Sequence, residues 1–415
     1  MKRLFLTILL ALIALTNLEA QGLKFSTRAQ AAILYNPDTE AILFQKECQK
    51  LHPPASILKI ATLLFVLDQK NIDPQKQCLV SKDAVHVIQA ALKHADFNAY
   101  PTYILEHDGV MAGIKGGRTY SFDTLLHAML LASGNDAANA VAEVCSESIE
   151  KFIEEMNAFL QSKGFHNTRC ANPHGLHYPG QATTAYEMAR ITALALKNPR
   201  FAKMFKTASF EGEIPIRNTN RLMREGSKHY YPKFLGGKTG YVASARYNLV
   251  AAAEDNGRKL IAVLLGCQGN NDRFEDAIAL FETAFREEKK QRLLFSKDHE
   301  CFVHEVPKAA GPLKGHLDRD VILSYFPSEE PSLKARVHWK NLRLPVAAGV
   351  EVGKLIVEDK KGNLLIESPL YSERELKYSL FYRSVTFAKW AGLLTLVLLG
   401  LIGLCKFFKK SSKLS

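Results

Sequence analysis

The chain has 415 residues, 47% of them hydrophobic and 23% charged. That is enough for one large domain and a smaller one, each with its own core, so disorder is not the default. The formal net charge of +12 sits partly in the two ends, and no basic–aromatic interleaving argues for nucleic acid.

Residues 1–20 read as a secretory signal peptide: Lys2-Arg3, an apolar run from Leu4 to Leu15, then a polar stretch ending at Ala20. The apolar run is short for a membrane span; the other reading is an uncut amino-terminal anchor. The cysteines are Cys48, Cys78, Cys145, Cys170, Cys267, Cys301 and Cys405. None forms a Cys-x-x-Cys and no histidine stands at ligand spacing, so no metal is expected. The six before Cys405 are open to pairing after export or to remaining as buried thiols.

Ala31 to Tyr35 and Ala41 to Phe44 predict two strands joined by a turn at Asn36-Pro37-Asp38-Thr39. Pro53-Pro54 breaks the chain, and a helical pattern follows from Ile57 to Leu67. Further helices are predicted near Phe122 to Leu131, after Ser148 as far as Gly164, and from a capping box at Thr184 to Glu187 toward Leu196. Strands are predicted over Phe234 to Tyr241, Tyr247 to Glu254 and Lys259 to Cys267, the last two joined at Asp255-Asn256-Gly257, with a closing helix over Phe274 to Arg286. Strands at both ends and helices between them imply an α+β plan in which the terminal strands meet in one antiparallel sheet.

Beyond about Leu294, short β-rich runs punctuated by Gly and Pro predict a small all-β module. A run from Val385 to Cys405, with Lys389 as its only charge, is long enough to cross a bilayer. Lys406, Lys409, Lys410 and Lys413 follow it and favour a cytoplasmic tail; a helix lying on the membrane is the alternative. The expected layout is a signal peptide at 1–20, a main domain at 21–295, a β-rich domain at 296–384, a transmembrane anchor at 385–405 and a basic tail at 406–415.

Three motifs carry chemistry. In Ser56-Ile57-Leu58-Lys59 the i, i+3 spacing puts both functional groups on one helix face. A serine hydroxyl needs a base, and a lysine can serve if burial and nearby positive charge depress its pKa. In Ser133-Gly134-Asn135, Ser133 can relay a proton and Asn135 can hydrogen-bond a substrate amide. In Lys238-Thr239-Gly240, Lys238 and Thr239 can bind a carboxylate, and Gly240 lets a peptide approach the strand edge because no Cβ intervenes. Each motif is weak alone: a solvated helix face, a turn and a strand end would carry the same letters. Together, in this order and with separations of 77 and 105 residues, they form the signature of penicillin-binding proteins and serine β-lactamases.

The chain resembles the low-molecular-mass penicillin-binding proteins, serine-type D-Ala-D-Ala carboxypeptidases of the β-lactamase/transpeptidase-like superfamily, over about residues 28 to 370. The resemblance rests on Pro53 to Lys59, Leu131 to Ala137, Asn172-Pro173-His174-Gly175-Leu176, Asn218 to Leu222, Gly237 to Tyr241 with Tyr247 to Val250, and on Leu344-Pro345-Val346 and Gly349 to Gly353 in the β-rich part. It implies a β-lactamase/transpeptidase-like domain, an antiparallel sheet flanked by helices, followed by a small all-β domain and the membrane helix. It further implies that Ser56 attacks the D-Ala-D-Ala bond of peptidoglycan pentapeptide stems, with Lys59 as base and Ser133 assisting the leaving group. Asn135, Lys238, Thr239, Gly240 and Tyr241 would bind substrate, the N–H groups of Ser56 and Tyr241 forming the oxyanion hole. No cofactor and no obligate protein partner is implied. β-Lactam antibiotics would acylate Ser56, and the enzyme would face the periplasmic, extracytoplasmic side of the inner membrane.

The sequence departs from that pattern at three places. The stretch between the first two motifs is about a dozen residues longer, the excess falling around His94 to Gly113. Arg246 stands where a glycine is usual, its charge either clamping a substrate carboxylate or simply solvated. The carboxy-terminal anchor is more apolar than the family's amphipathic helix. A class A β-lactamase needs a carboxylate base for rapid deacylation, but Phe165 to Gln181 contains no Asp or Glu. A D,D-endopeptidase would carry the same motifs. A silent wall-binding homologue should have lost Ser56, Lys59 or Lys238, and none is lost.

Overall fold

The computed structural model describes residues 21–411. The expected signal peptide at 1–20 lies outside the described residues. The chain forms two compact units, one of Gln21–Glu288 with Pro327–Glu329, the other of Lys289–Phe326 with Glu330 onward.

The first unit opens with β1 (Ala31–Tyr35) and β2 (Ile42–Lys46). The Asn36 side chain accepts the Asp38 and Thr39 N–H groups in the turn between them. A 3-10 turn over Ala55–Leu58 leads into α1 (Lys59–Gln69). Short elements follow: β3 (Gln77–Leu79), β4 (Val87–Ile88), α2 (Ala90–Ala95), β5 (Leu105–Glu106) and β6 (Thr119–Ser121). Then come α3 (Phe122–Leu130), α4 (Asn135–Cys145), α5 (Ile149–Ser162), α6 (Ala185–Leu196), α7 (Pro199–Phe205), β7 (Ser209–Glu211) and β8 (Pro215–Arg217). The unit closes with β9 (Phe234–Val242), β10 (Arg246–Asp255), β11 (Arg258–Cys267) and α8 (Asp272–Phe285).

The main sheet runs β2-β1-β11-β10-β9 and is antiparallel, so the first and last strands of the unit meet with Ala31 opposite Leu265. Side chains alternate along a strand, which splits the core into two layers. Ile33, Tyr35, Val250, Ile261 and Val263 pack toward α1 and its neighbours. Ala32, Leu34, Leu249, Ala251 and Leu264 pack on Phe274, Leu280 and Phe281 of α8. Because both faces are covered, β10 and β11 read as nearly unbroken apolar runs.

The start of α1 is buried all round, from Lys59 to Val66, as expected of a helix that is apolar on every side. Caps set several starts: Ser121 for α3, Ser148 for α5 and Asn198 before Pro199 for α7. At α6, Thr184 accepts the Glu187 N–H as the sequence pattern predicts. The Glu187 carboxylate does not reach back to close the box; it binds Thr168 Oγ1 and the Asn167 N–H in the preceding loop.

The second unit contains β12 (Lys290–Phe295), β13 (Cys301–His304), β14 (Leu313–Leu317), β15 (Val321–Tyr325), β16 (Leu333–Trp339), β17 (Glu351–Asp359) and β18 (Leu364–Ser372). Five strands form one sheet in the order β13-β14-β18-β17-β16, over a core that includes Phe302, Leu317, Val352, Leu355 and Leu370. The boundary expected at 295/296 falls earlier, at 288/289, because β12 pairs with β15 of the later unit. A long helix, α9 (Leu380–Ser411), ends the described chain. Its segment Leu380–Ile402 is long and apolar enough to cross a membrane, and begins five residues before the expected Val385.

All six cysteines from Cys48 to Cys301 are free thiols, so the paired alternative is not realised among the described residues.

Candidate active site

The site is assembled from the 3-10 turn before α1, the α3–α4 junction, the 172–176 turn and strand β9. Ser56 sits in the turn, one residue after Ala55, whose φ is +49°. A non-glycine residue in the left-handed region costs of order 1–3 kcal/mol and persists only where its surroundings enforce it. Asn248 of β10 does so. Its side-chain amide donates to Pro53 O and Pro54 O, both at 3.0 Å, and its carbonyl accepts the Gly266 N–H at 2.9 Å. Two glycines press on the same turn. A Cβ at Gly175 would fall 2.0 Å from Ala55 O, and one at Gly240 would fall 3.0 Å from the Ser56 nitrogen. Strand β9 therefore runs close against the Ser56 turn only because position 240 lacks a side chain.

Lys59 is 0% exposed. Its Nζ lies 3.0 Å from Ser56 Oγ, 2.7 Å from Asn135 Oδ1 and 2.8 Å from His174 O. Burial, reinforced by the nearby Lys238 charge, pushes its pKa well below the ordinary lysine range. A neutral lysine has two N–H donors and one lone pair. The carbonyls of Asn135 and His174 can only accept, so they take both N–H groups. The lone pair then faces the Ser56 hydroxyl, which is the geometry a general base requires.

Ser133 also holds a positive φ, +64°, at the junction where α3 ends and α4 begins. Lys238 donates to Ser133 Oγ at 2.7 Å and to Thr239 O at 3.0 Å. Burial, with a further contribution from the Arg273 charge, lowers the Lys238 pKa to about 7. The second and third motifs are thus hydrogen-bonded to each other, and Asn135 ties the second to the first.

A cavity of about 700 Å³ opens above these groups. Ser56, Ser133, Asn135, Thr239, Gly240 and Tyr241 line it, while Lys59 and Lys238 lie buried behind its wall. All eight sequence-predicted residues therefore converge on one cleft. The longer stretch around His94 to Gly113 contributes His94, Glu106, Asp108, Gly109 and Val110 to the lining. It is fastened to the second motif: the Asn135 N–H donates to Val110 O at 2.8 Å, and the Asp136 carboxylate accepts the N–H groups of Ala112, Gly113 and Ile114. Its Glu106 forms a buried ion pair with Lys93 of α2 at 2.8 Å. Arg246 adopts a φ of +57°, a backbone region suited to the glycine usual there, and its side chain is exposed.

The D-alanyl-D-alanine carboxypeptidase family model matches residues 17–269. The chain belongs to this family. It is 27% identical to the D-alanyl-D-alanine carboxypeptidase DacF of Bacillus subtilis over 94% of this chain and 97% of that one. It is 31% identical to DacB2 of Mycobacterium tuberculosis over 62% of this chain and 82% of the relative. Among solved structures, penicillin binding protein 5 from Haemophilus influenzae matches with a TM-score of 0.58 at 25% identity, covering 85% of this chain and 99% of that one. DacD from Francisella tularensis shares the fold, with a TM-score of 0.59 at 20% identity over 88% of this chain and 98% of that one. The activity is that of a serine-type D-Ala-D-Ala carboxypeptidase, a hydrolase.

One prominent residue of this carboxypeptidase belongs to none of the three motifs. Arg273, in the first turn of α8, lines the cleft. It donates to Gly240 O at 2.9 Å, Asn248 O at 3.0 Å and Asn270 Oδ1 at 2.7 Å. Burial lowers its pKa to about 10. A signal for it exists in the sequence: residues 273, 277, 280 and 284 share one helix face, and the last three, Ala277, Leu280 and Ala284, are core. An arginine heading an apolar stripe calls for a reason.

Proposed function

We propose that Ser56 is the nucleophile and Lys59 its base in removing the terminal D-Ala from peptidoglycan pentapeptide stems. The supporting observation is the pair of carbonyl acceptors on Lys59, which leaves its lone pair on Ser56 Oγ. The Ser56 proton moves to Lys59 Nζ as Oγ bonds to the carbonyl carbon of the penultimate D-Ala. The tetrahedral oxyanion is held by the N–H groups of Ser56 and Tyr241, a role favoured by the close approach of Gly240 to Ser56. The C–N bond then breaks, and Ser133 passes a proton to the departing D-Ala amine. Water attacks the acyl-enzyme and frees the shortened stem. The charges of Lys238 and Arg273, with the Thr239 hydroxyl, bind the terminal carboxylate, and Asn135 orients the stem amide.

β-Lactams acylate Ser56 by the same route and remain there, because the Phe165 to Gln181 loop brings no carboxylate to activate water. One cleft carboxylate, Glu106, is already engaged by Lys93. We further place the catalytic unit outside the cytoplasmic membrane, delivered by the signal peptide at 1–20 and tethered by the apolar segment of α9. Its partners in this reading are pentapeptide stems, β-lactams and the bilayer.

The test uses the full chain in detergent with a pentapeptide muropeptide, measuring released D-Ala, with Ser56→Ala as control. Release by the parent alone is expected; equal release by both would sink the mechanism. A preference for cross-linked dimers would make the enzyme an endopeptidase, and rapid penicillin turnover would make it a β-lactamase.

A further inference from the structure

We propose that His174 is a positioning residue: its imidazole, held between the 94–113 stretch and its own turn, aims its main-chain carbonyl at the amine of Lys59. The proposal rests on Lys59 being the base for Ser56.

His174 is 0% exposed and both ring nitrogens are engaged. Nδ1 accepts the Leu176 N–H at 3.1 Å, so the proton of the neutral ring is on Nε2. Nε2 then donates to Tyr103 O at 3.1 Å. Its environment maintains this neutral form. Burial chiefly, then any positive charge on Lys59 from α1 and the Lys93 charge from α2, holds its pKa well below the ordinary imidazole range, while Glu106 pairs with Lys93. An imidazolium would place a second proton on Nδ1, facing the Leu176 N–H.

The rest of the turn leaves the peptide of residue 174 little other freedom. Thr62 of α1 donates to Pro173 O at 2.7 Å, and Asn172 accepts the Gly175 N–H at 2.7 Å. Gly175, with φ +94°, packs against Ala55. The carbonyl of His174 is thereby aimed at Lys59 Nζ. Its loss would free one N–H of the amine and let the lone pair rotate off Ser56. A misplacement of about 1 Å at a reacting group costs on the order of 100-fold in rate.

The experiment follows acylation of the full chain by benzylpenicillin, by intact mass, in the parent, His174→Leu, His174→Gln and His174→Asn. In His174→Leu the limiting acylation rate is expected to fall on the order of 100-fold, with the half-saturating penicillin concentration within about threefold of the parent. His174→Gln should regain most of the rate, because its amide nitrogen can reach Tyr103 O. An unchanged rate in His174→Leu would overturn the proposal. So would equal loss in Leu and Gln variants with both constants moved, since that is the mark of a purely structural residue. If His174→Leu lacks a cooperative melt, the Gln and Asn variants decide. Asn reaches only the Nδ1 position, so a slow Asn and a fast Gln variant support the role, and equal rates overturn it. A parent that penicillin does not acylate, or a Ser56→Ala variant acylated equally, would instead refute the Ser56–Lys59 reading.

Discussion

The floor of the cleft hides two lysines, and α2, leading into the 94–113 stretch beside it, hides a third; the two places treat them differently. Lys59 and Lys238 are 0% and 2% exposed, and their hydrogen bonds go to hydroxyls and carbonyls. Lys93 is 1% exposed and is met by the Glu106 carboxylate. Burial without a counter-ion disfavours the ammonium form and makes a lysine a base or a proton relay. Burial against a carboxylate yields a strut, costly to break from one side. Nothing in the local sequence of Lys93 distinguishes it from a chemical lysine; its partner does.

Breaking each lysine in turn tests this contrast. The largest effect is expected from Lys59→Met, which should lower penicillin acylation of Ser56 by on the order of 10⁴-fold, the upper range for loss of a general base. Stopped-flow or mass-resolved acylation measures it. Its stability cost should stay modest: the two carbonyls left without a donor cost about 1–3 kcal/mol each, offset by relief from burying the lysine amine.

Lys93→Met should reverse that ranking. Stranding the Glu106 carboxylate is expected to cost about 3–5 kcal/mol, read by denaturant unfolding of the full chain in detergent. The double variant Lys93→Met/Glu106→Leu should recover most of it. Equal losses from Lys59→Met and Lys93→Met would erase the distinction.

The third effect depends on pH. The folded-state pKa of Lys238, about 7, lies below its unfolded value. The unfolded chain therefore binds more protons between those values, and this lysine's penalty is full below about pH 7 and fades as pH rises toward the unfolded pKa. The stability difference between Lys238→Met and the parent should shrink from pH 7 to pH 10. A flat difference would mean that Lys238 keeps its charge in the fold. The smallest effect is expected from Asn248→Ala, which unclamps the nucleophile turn at about 1–3 kcal/mol and slows acylation without altering its pH dependence.

Much of the fold was legible in the sequence. Nearly unbroken apolar runs and the Asp255-Asn256-Gly257 turn located β10 and β11, and the Pro53-Pro54 break preceded α1 as the pattern required. The seven-residue shift of the domain boundary was not legible, because β12 looks like any short strand until β15 pairs with it. Nor was the Glu187 carboxylate's turn toward Thr168, a contact with the preceding loop rather than with its own helix end.

The sequence by itself determined which functional groups this carboxypeptidase has and which local elements carry them: a serine and lysine one helical turn apart, a serine and asparagine at a helix junction, a lysine beside a glycine on a strand. Tertiary structure alone decided what state those groups are in. The lowered pKa values of Lys59 and Lys238, the place of Arg273 and the contacts of His174 depend on burial and on partners distant in the chain. Desolvation and hydrogen-bond geometry are properties of the packed cleft, and no motif encodes them.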